Sequence, residues 1–270
     1  MSSVAKESKI LAKHTFVYGI GIAVNSVVGI LLLPIYTRYL TPNDYGVKEL
    51  IGLTTDVIGI LMATAISSAI YRFYFEYDDE KSRNEVISTG IISLGAAGLI
   101  ALAMLSFFTR PMAEYIIDAP DLYYYFNIAL VSMWFHSING IGFDYLRARR
   151  QSFLFVALSL FRLILSILLN IYFIIFLGLG VLGILWSTLI VAIITTLILT
   201  IPIMCRVGVK FNKNKIKEMV RFGLPIIPDQ LGGFIVHLSD RFFIKGYSSV
   251  ADAGLYSLGH RFGTIPGNFI

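Results

Sequence analysis

The sequence predicts an all-α polytopic membrane protein: a six-helix N-terminal lobe plus the first two helices of a second, parallel-repeat lobe. Three observations predict it. The chain is 56% hydrophobic and only 14% charged, where soluble domains carry about a quarter charged residues. Its apolar residues come in blocks, and a block of about 20 is what a helix needs to cross the hydrocarbon. Finally, the polar, turn-forming stretch RYLTPNDYG (38–46) has a counterpart, KGYSSVADAG (245–254), at the same place in a later pair of blocks.

The blocks run over 16–39, 47–71, 86–108, 123–145, 153–176, 179–204 and 219–244, and an eighth opens near 253. Backbone groups in lipid must be satisfied internally, which leaves helices or closed barrels. Barrel strands would be about ten residues long with strict alternation, so these blocks are helices. The first is too long for a signal peptide, and no small-residue cleavage site follows it. Cys205 stands alone, which excludes an internal disulfide and offers no metal cluster.

Lys and Arg alternate strictly between the loops. Fifteen of the 22 fall at the N-terminus and in the second, fourth and sixth loops; five fall on the other side, and Arg162 and Arg261 lie within blocks. The positive-inside rule then places the N-terminus in the cytoplasm and RYLTPNDYG outside. The net charge of +5 is topogenic and faces anionic lipid headgroups, so a nucleic-acid partner is not expected.

The two turn stretches mark an internal repeat. Asp44-Tyr45-Gly46 matches Asp252-Ala253-Gly254, and Gly19 near the start of the first block matches Gly223 near the start of the seventh. Six blocks separate the copies, so both face the same way, as in transporters built from parallel repeats. Residues 1–209 are expected to form the six-helix lobe and 210–270 the start of the second. Because the second copy stops inside its second helix, the expectation is a longer protein of about twelve helices or more. In each copy the Pro or Gly shapes the turn, and Asp44 is expected to cap the next helix.

A basic start followed by LPIYTRYLTPNDYGVKEL resembles the Wzx-type O-antigen flippases of the multidrug/oligosaccharidyl-lipid/polysaccharide (MOP) superfamily. RFGLPIIPDQLGGFIVHLSDRFFIKGYSSVADAGLYSLGHRFG looks like the start of that family's second half. The resemblance covers essentially the whole chain. It implies a multi-pass protein of the plasma (inner) membrane, acting in polysaccharide and lipopolysaccharide synthesis. Its substrate would be an undecaprenyl-pyrophosphate-linked oligosaccharide, moved through a central cavity by alternating access. Expected partners are membrane lipids, the lipid-linked oligosaccharide, and a polysaccharide polymerase or glycosyltransferase. An ion-coupled small-molecule exporter of the same superfamily and a non-transporting scaffold are the alternatives. No Walker loop, metal cluster or sizeable soluble loop is present, so neither an enzyme nor a cofactor is expected.

Such a protein needs a polar route and an anion site, and ionisable residues inside the bilayer are the places to look. Arg162 lies mid-block, on a stripe with Ser159, Ser166 and Asn170. Its planar fork suits phosphate; the structural alternative is an ion pair with Asp56 or Asp144. In the seventh block Asp229, Gly233, His237 and Asp240 or Arg241 form a second stripe. Pro225, Pro228, Gly232 and Gly233 predict a bend there, a hinge that would gate the cavity. His237 is a candidate for proton coupling, against the plainer role of a packing histidine. The plainer reading of Asp240 and Arg241 puts them at the outer interface. His260 and Arg261 would add positive charge to the cavity or else snorkel outward. Asp56 shares a stripe with Gly52, Gly59, Ala63 and Ser67; small residues so spaced point first to close helix packing, with a cation or proton site as the alternative. Asn25, and His136, Asn139 and Asp144 in the fourth block, would line a sugar path or make interhelical hydrogen bonds. Trp134 fits interface anchoring or packing.

Overall fold

Residues 32–264 are described in the computed structural model; Asn25 lies outside them. The end of the first helix, α1 (32–39), leads to a tight turn from which α2 (Pro42–Glu76) rises. Thr41, not Asp44, is the cap residue. Its Oγ1 accepts the Asp44 N–H at 3.1 Å, and the Asp44 carboxylate accepts the Thr41 N–H at 3.0 Å. This reciprocal box satisfies donors that the first helical turn leaves free, and Pro42 has no N–H to lose there.

Then follow α3 (Glu80–Ser106), a short α4 (Thr109–Ile117), α5 (Tyr123–Ala148) and α6 (Ser152–Ile171). Asp79 caps α3, and hydrogen bonds from Ser82 hold its carboxyl below the usual carboxylate range. A π turn (Tyr172–Phe176) ends α6; α7 (Gly180–Thr195) passes through a second π turn (Thr196–Thr200) into α8 (Ile201–Val207). Pro42–Glu76, Glu80–Ser106, Ser152–Phe176 and Gly180–Val207 are long and apolar enough to cross a membrane. At 26 residues, or about 39 Å, α5 is long enough as well, but His136, Asn139 and Asp144 make it less apolar.

The seventh block is not one helix. It divides into α9 (Lys213–Gly223), α10 (Ile226–Leu238) and α11 (Asp240–Tyr247), before α12 (Val250–Thr264). One break falls at Leu224–Pro225, where the proline ring cannot continue an α-helical ladder. The other falls at Ser239, which sequence reading did not single out. Pro228 sits in the first turn of α10, where it costs no hydrogen bond, and the helix runs unbroken through Gly232 and Gly233. The expected bend is therefore two breaks flanking the Gly pair.

Buried apolar side chains gather at the two ends of the bundle. One cluster joins the C-terminal half of α2 to α3, α5, α6, α8 and α9, including Ile70, Ile87, Leu146 and Met219. The other joins the N-terminal half of α2 to α4, α5, α7 and α12, including Leu50, Phe126, Val181 and Val250. Between them the middle of α2 has no such cover. Trp134 is a packing residue: its indole donates to the Gly95 carbonyl at 3.1 Å and lies over Gly98, where a Cβ would meet the ring at 2.2 Å. The Asn139 amide donates to the Ala192 carbonyl at 2.9 Å, and its oxygen accepts from Thr196 and Thr200 at 3.0 and 2.8 Å. It thus ties α5 to the second π turn, and takes the helical rather than the sugar-path role.

The repeated turns meet each other. A Cβ on Gly46 would lie 1.9 Å from the Val250 carbonyl oxygen, and one on Gly254 would lie 2.4 Å from that of Pro42. Pro42 and Val250, like Gly46 and Gly254, are the same distance apart in sequence, so the contact is reciprocal, as across a two-fold axis. The second turn also repeats the first turn's cap. The Ser249 hydroxyl accepts the Asp252 N–H at 3.1 Å and donates to the Asp252 carboxylate at 2.6 Å. At the other end of α2, Gly223 of α9 sits against Ala65, where a Cβ would meet backbone at 1.9 Å. The segment leading into α9 is fastened to the start of α3. Lys210 and Asn212 donate through backbone N–H groups to Ser88 and Thr89, at 2.8 and 3.1 Å. Lys215 is buried, pairs with Glu85 at 3.1 Å and donates to the Ser82 carbonyl at 2.9 Å.

Candidate functional site

The uncovered middle of α2 is one wall of a cavity of about 780 Å³. That wall is the small-residue stripe: Asp56, Gly59, Ala63 and Ser67, joined by Thr55 and Thr64. Its lack of bulk makes room rather than close packing. A Cβ on Gly59 would come no nearer than 3.7 Å to Met133, and one on Gly52 would touch nothing. From α5 come Met133, His136, Ser137 and Gly140, and from α10 Asp229, Gln230, Gly233 and His237. Three helices far apart in sequence so bring two carboxylates, two imidazoles and several hydroxyls to one space. Among its lining residues there is no Lys or Arg.

Two smaller cavities adjoin it. One, of about 290 Å³, adds Lys48 and Thr188 to Thr55, Asp56, Met133 and His136. The other, of about 210 Å³, holds Arg162 and Ser166 together with His136 and Thr188. His136 lines all three. Sequence reading named it only as one polar residue of its block, yet its face was legible: Met133 precedes it by three residues and Gly140 follows it by four, the spacings that share a helix face.

Arg162 has none of the ion pairs expected as alternatives. Asp144 is taken by Arg147 on its own helix, and among the described residues no carboxylate lies within pairing distance of Arg162. Its guanidinium instead reaches His136 Nδ1 at 3.3 Å and lies 5.1 Å from the Phe143 ring centre. Asn170 does not join it. That side chain is buried and saturated, accepting from the Tyr36 hydroxyl at 3.0 Å and donating to Ser187 Oγ and the Ser166 carbonyl at 2.8 Å each.

Arg261 is likewise not on the wall of any of these cavities. It pairs with Glu49 at 3.2 Å, and Glu49 also pairs with Lys48 at 3.4 Å, so these charges join α12 to α2. Arg241 is buried: it binds Asp240, which in turn accepts from the Tyr256 hydroxyl, and donates to the His237 carbonyl at 2.7 Å. Asp240 and Arg241 therefore fasten α11 to α12 and to the end of α10. His260 stacks edge-on against Tyr256. Pro225 and Pro228 stand at the start of α10, the helix that carries Asp229 and His237 into the cavity.

Chemically, the wide cavity offers carboxylates and imidazoles that accept and donate to hydroxyl groups, and the Arg162 cleft offers a forked cation to an anion. This fold is that of the MOP-superfamily transporters. An outward-facing multidrug resistance MATE family transporter of that superfamily superposes with a TM-score of 0.73 at 18% identity, over 95% of this chain and 60% of its own. A mutant of the Vibrio cholerae MATE transporter VcmN gives 0.68 at 17%, over 98% and 63%. A MOP superfamily transporter from Pyrococcus furiosus gives 0.69 at 20%, over 87% and 54%. The chain thus spans less than two thirds of the length of these structures. Residues 35–270 match the family described as polysaccharide biosynthesis protein, and the chain belongs to that family. No curated protein matches it.

Proposed function

We propose that this chain belongs to a flippase that carries undecaprenyl-pyrophosphate-linked oligosaccharide across the plasma membrane, with its N-terminus in the cytoplasm. The observation that carries the reading is the adjacency of two unlike spaces, a wide hydroxyl-binding cavity and a narrow Arg162 cleft, joined at His136. A glycan would occupy the first, where Asp56, Asp229, Gln230 and His237 accept and donate hydrogen bonds without demanding charge. Its pyrophosphate would occupy the second. Membership of a polysaccharide biosynthesis family supports a glycan. Alternating access is supported by the fold, since MATE family relatives have been solved in outward-facing and inward-facing conformations. The breaks at Leu224–Pro225 and Ser239 would let α10 tilt between α9 and α11, with Pro225 at the hinge and Pro228 moving with the helix. A polymerase or glycosyltransferase would supply or consume the substrate.

The second reading is export of organic cations. It rests on Asp56 and Asp229 in a wide cavity lined by neither Lys nor Arg, and on the multidrug resistance transporters of this fold. Pocket polarity, reversed in the Pyrococcus furiosus transporter and taken there to suggest a different function, is the property that would separate the two. The complete protein in proteoliposomes decides between them. With labelled polyprenyl-pyrophosphate glycolipid, appearance in the opposite leaflet is expected, falling at least ten-fold in Arg162→Ala through loss of about 1.4 kcal/mol or more. Transport of a cationic dye with no glycolipid movement would overturn the flippase reading.

A further inference from the structure

His136 and Arg162 form a contact whose chemistry has one solution. Arginine has N–H donors and no acceptor, so at 3.3 Å from a guanidinium nitrogen His136 Nδ1 must offer its lone pair. The imidazole is then neutral, with its proton on Nε2. An anion that binds Arg162 competes for the same N–H. Once the guanidinium turns to a phosphoryl oxygen, Nδ1 loses its donor, and a second acceptor now stands beside it.

We infer that His136 is the proton-linked half of the anion site: pyrophosphate binding at Arg162 places one proton on His136 Nδ1, and pyrophosphate release returns it. This deepens the flippase reading and rests on it. The proton is supplied by the bulk solvent and its buffer through the wide cavity, which His136 also lines, and returns there on release. The bound state gains a second N–H donor toward the ligand and a second positive charge against at least two negative ones, in a space where low polarisability strengthens both. The groups facing His136 permit it. Arg162 comes from α6, Asp56 and Lys48 from α2, and Asp229 and His237 from α10, while α7 brings only the neutral Thr188. The carboxylates offset the added charge, and Lys48 is already held by Glu49. His237, the expected proton carrier, lies on the far helix, and the cation it meets, Arg241, binds its backbone carbonyl rather than its ring.

The test is binding to the detergent-solubilised full chain, measured calorimetrically in two buffers of different ionisation enthalpy. Inorganic pyrophosphate is one probe and farnesyl pyrophosphate the other, so that free and lipid-linked sources are separated. Wild-type protein is expected to take up about one proton per anion, with affinity falling roughly ten-fold per pH unit above neutrality. His136→Gln, and His136→Asn as a second non-titrating variant, should bind about ten-fold more weakly and lose that extra uptake. Thermal unfolding near the wild-type midpoint in either variant shows that the loss is local. Equal uptake in wild type and both variants would overturn the inference, as would wild-type binding with no uptake; either result leaves the flippase reading standing. Failure of both probes to bind would overturn the anion site and the flippase reading with it.

Discussion

Asn170 and Arg162 share one stripe of one helix and yet do different things, and the difference is set by neighbours rather than by spacing. Asn170 faces α1 and α7 and finds partners for its whole amide; Arg162 faces a cleft and finds an imidazole and a ring. A saturated buried amide stabilises the bundle. Asn170→Leu should leave the buried Tyr36 hydroxyl without its acceptor and remove the Asn170 bond to Ser187, and cost about 1–3 kcal/mol. The expected result is a lowered midpoint of thermal unfolding with pyrophosphate affinity unchanged. A fall in affinity at constant stability would put Asn170 back on the substrate path. Asn139 makes the same argument on α5, where Asn139→Ala would leave the buried Thr200 hydroxyl without its acceptor, while Thr196 keeps its bond to the Ala192 carbonyl. The polar residues themselves could be picked from the sequence, since any such group in a membrane span stands out. Which of them face a neighbour and which face a cavity could not. A stripe gives a direction around one helix axis, and says nothing of what lies in that direction.

For α2 the same limit applies to the whole helix. Small residues at positions 52, 59, 63 and 67 mean that no bulk projects from one face, and this serves close packing and an open cavity equally well. The helix uses both. At its two ends glycines on partner helices let backbone meet backbone, Gly254 of α12 near Gly46 and Gly223 of α9 near Ala65; in the middle the face is left open. The crossing of α2 with α12 is the more demanding contact, because the nearest atoms are backbone and cannot swing aside. Gly46→Val or Gly254→Val should push the two helices apart and destabilise by about 1–3 kcal/mol, as overpacking does. Gly52→Ala, where a Cβ would touch nothing, should change stability little. Urea or thermal unfolding of the three variants checks the order, and a Gly46→Val protein as stable as Gly52→Ala would mean that the crossing is not tightly closed. Most of the helices were legible because a span must be apolar over its whole length. The division of the seventh block was half legible: Pro225 announces its own break, whereas Ser239 is an ordinary helix residue, and the break there accompanies the Asp240–Arg241–Tyr256 contacts that no local pattern encodes.

Across the whole molecule, the repeat explains why a polar space forms at all. Two copies of one capped turn cross at one end of α2. At the other end, the connecting segment is fastened to α3 through Lys210, Asn212 and Lys215. Apolar clusters fill the bundle near both fixed ends. What remains between them is where α10 passes α2 and α5 without a continuous seam, and there the sequence supplies Asp, His, Ser, Thr and Gln. Exposure to water is then the property that separates this space from the lipid-facing surface. With Cys205→Ser as background, single cysteines at Ser67, Ser137 and Gly233, one from each wall, should react with a charged thiol reagent within minutes in membranes. A cysteine at Leu99, which is exposed on the apolar flank of α3, should react far more slowly, because thiols surrounded by hydrocarbon form little thiolate. Labelling at the three wall positions should also slow when pyrophosphate-linked glycan is present, since ligand and reagent would share one space. If Ser67→Cys and Gly233→Cys prove as unreactive as Leu99→Cys, the two walls meet in the membrane, and α2 and α10 are packed partners rather than sides of a pathway.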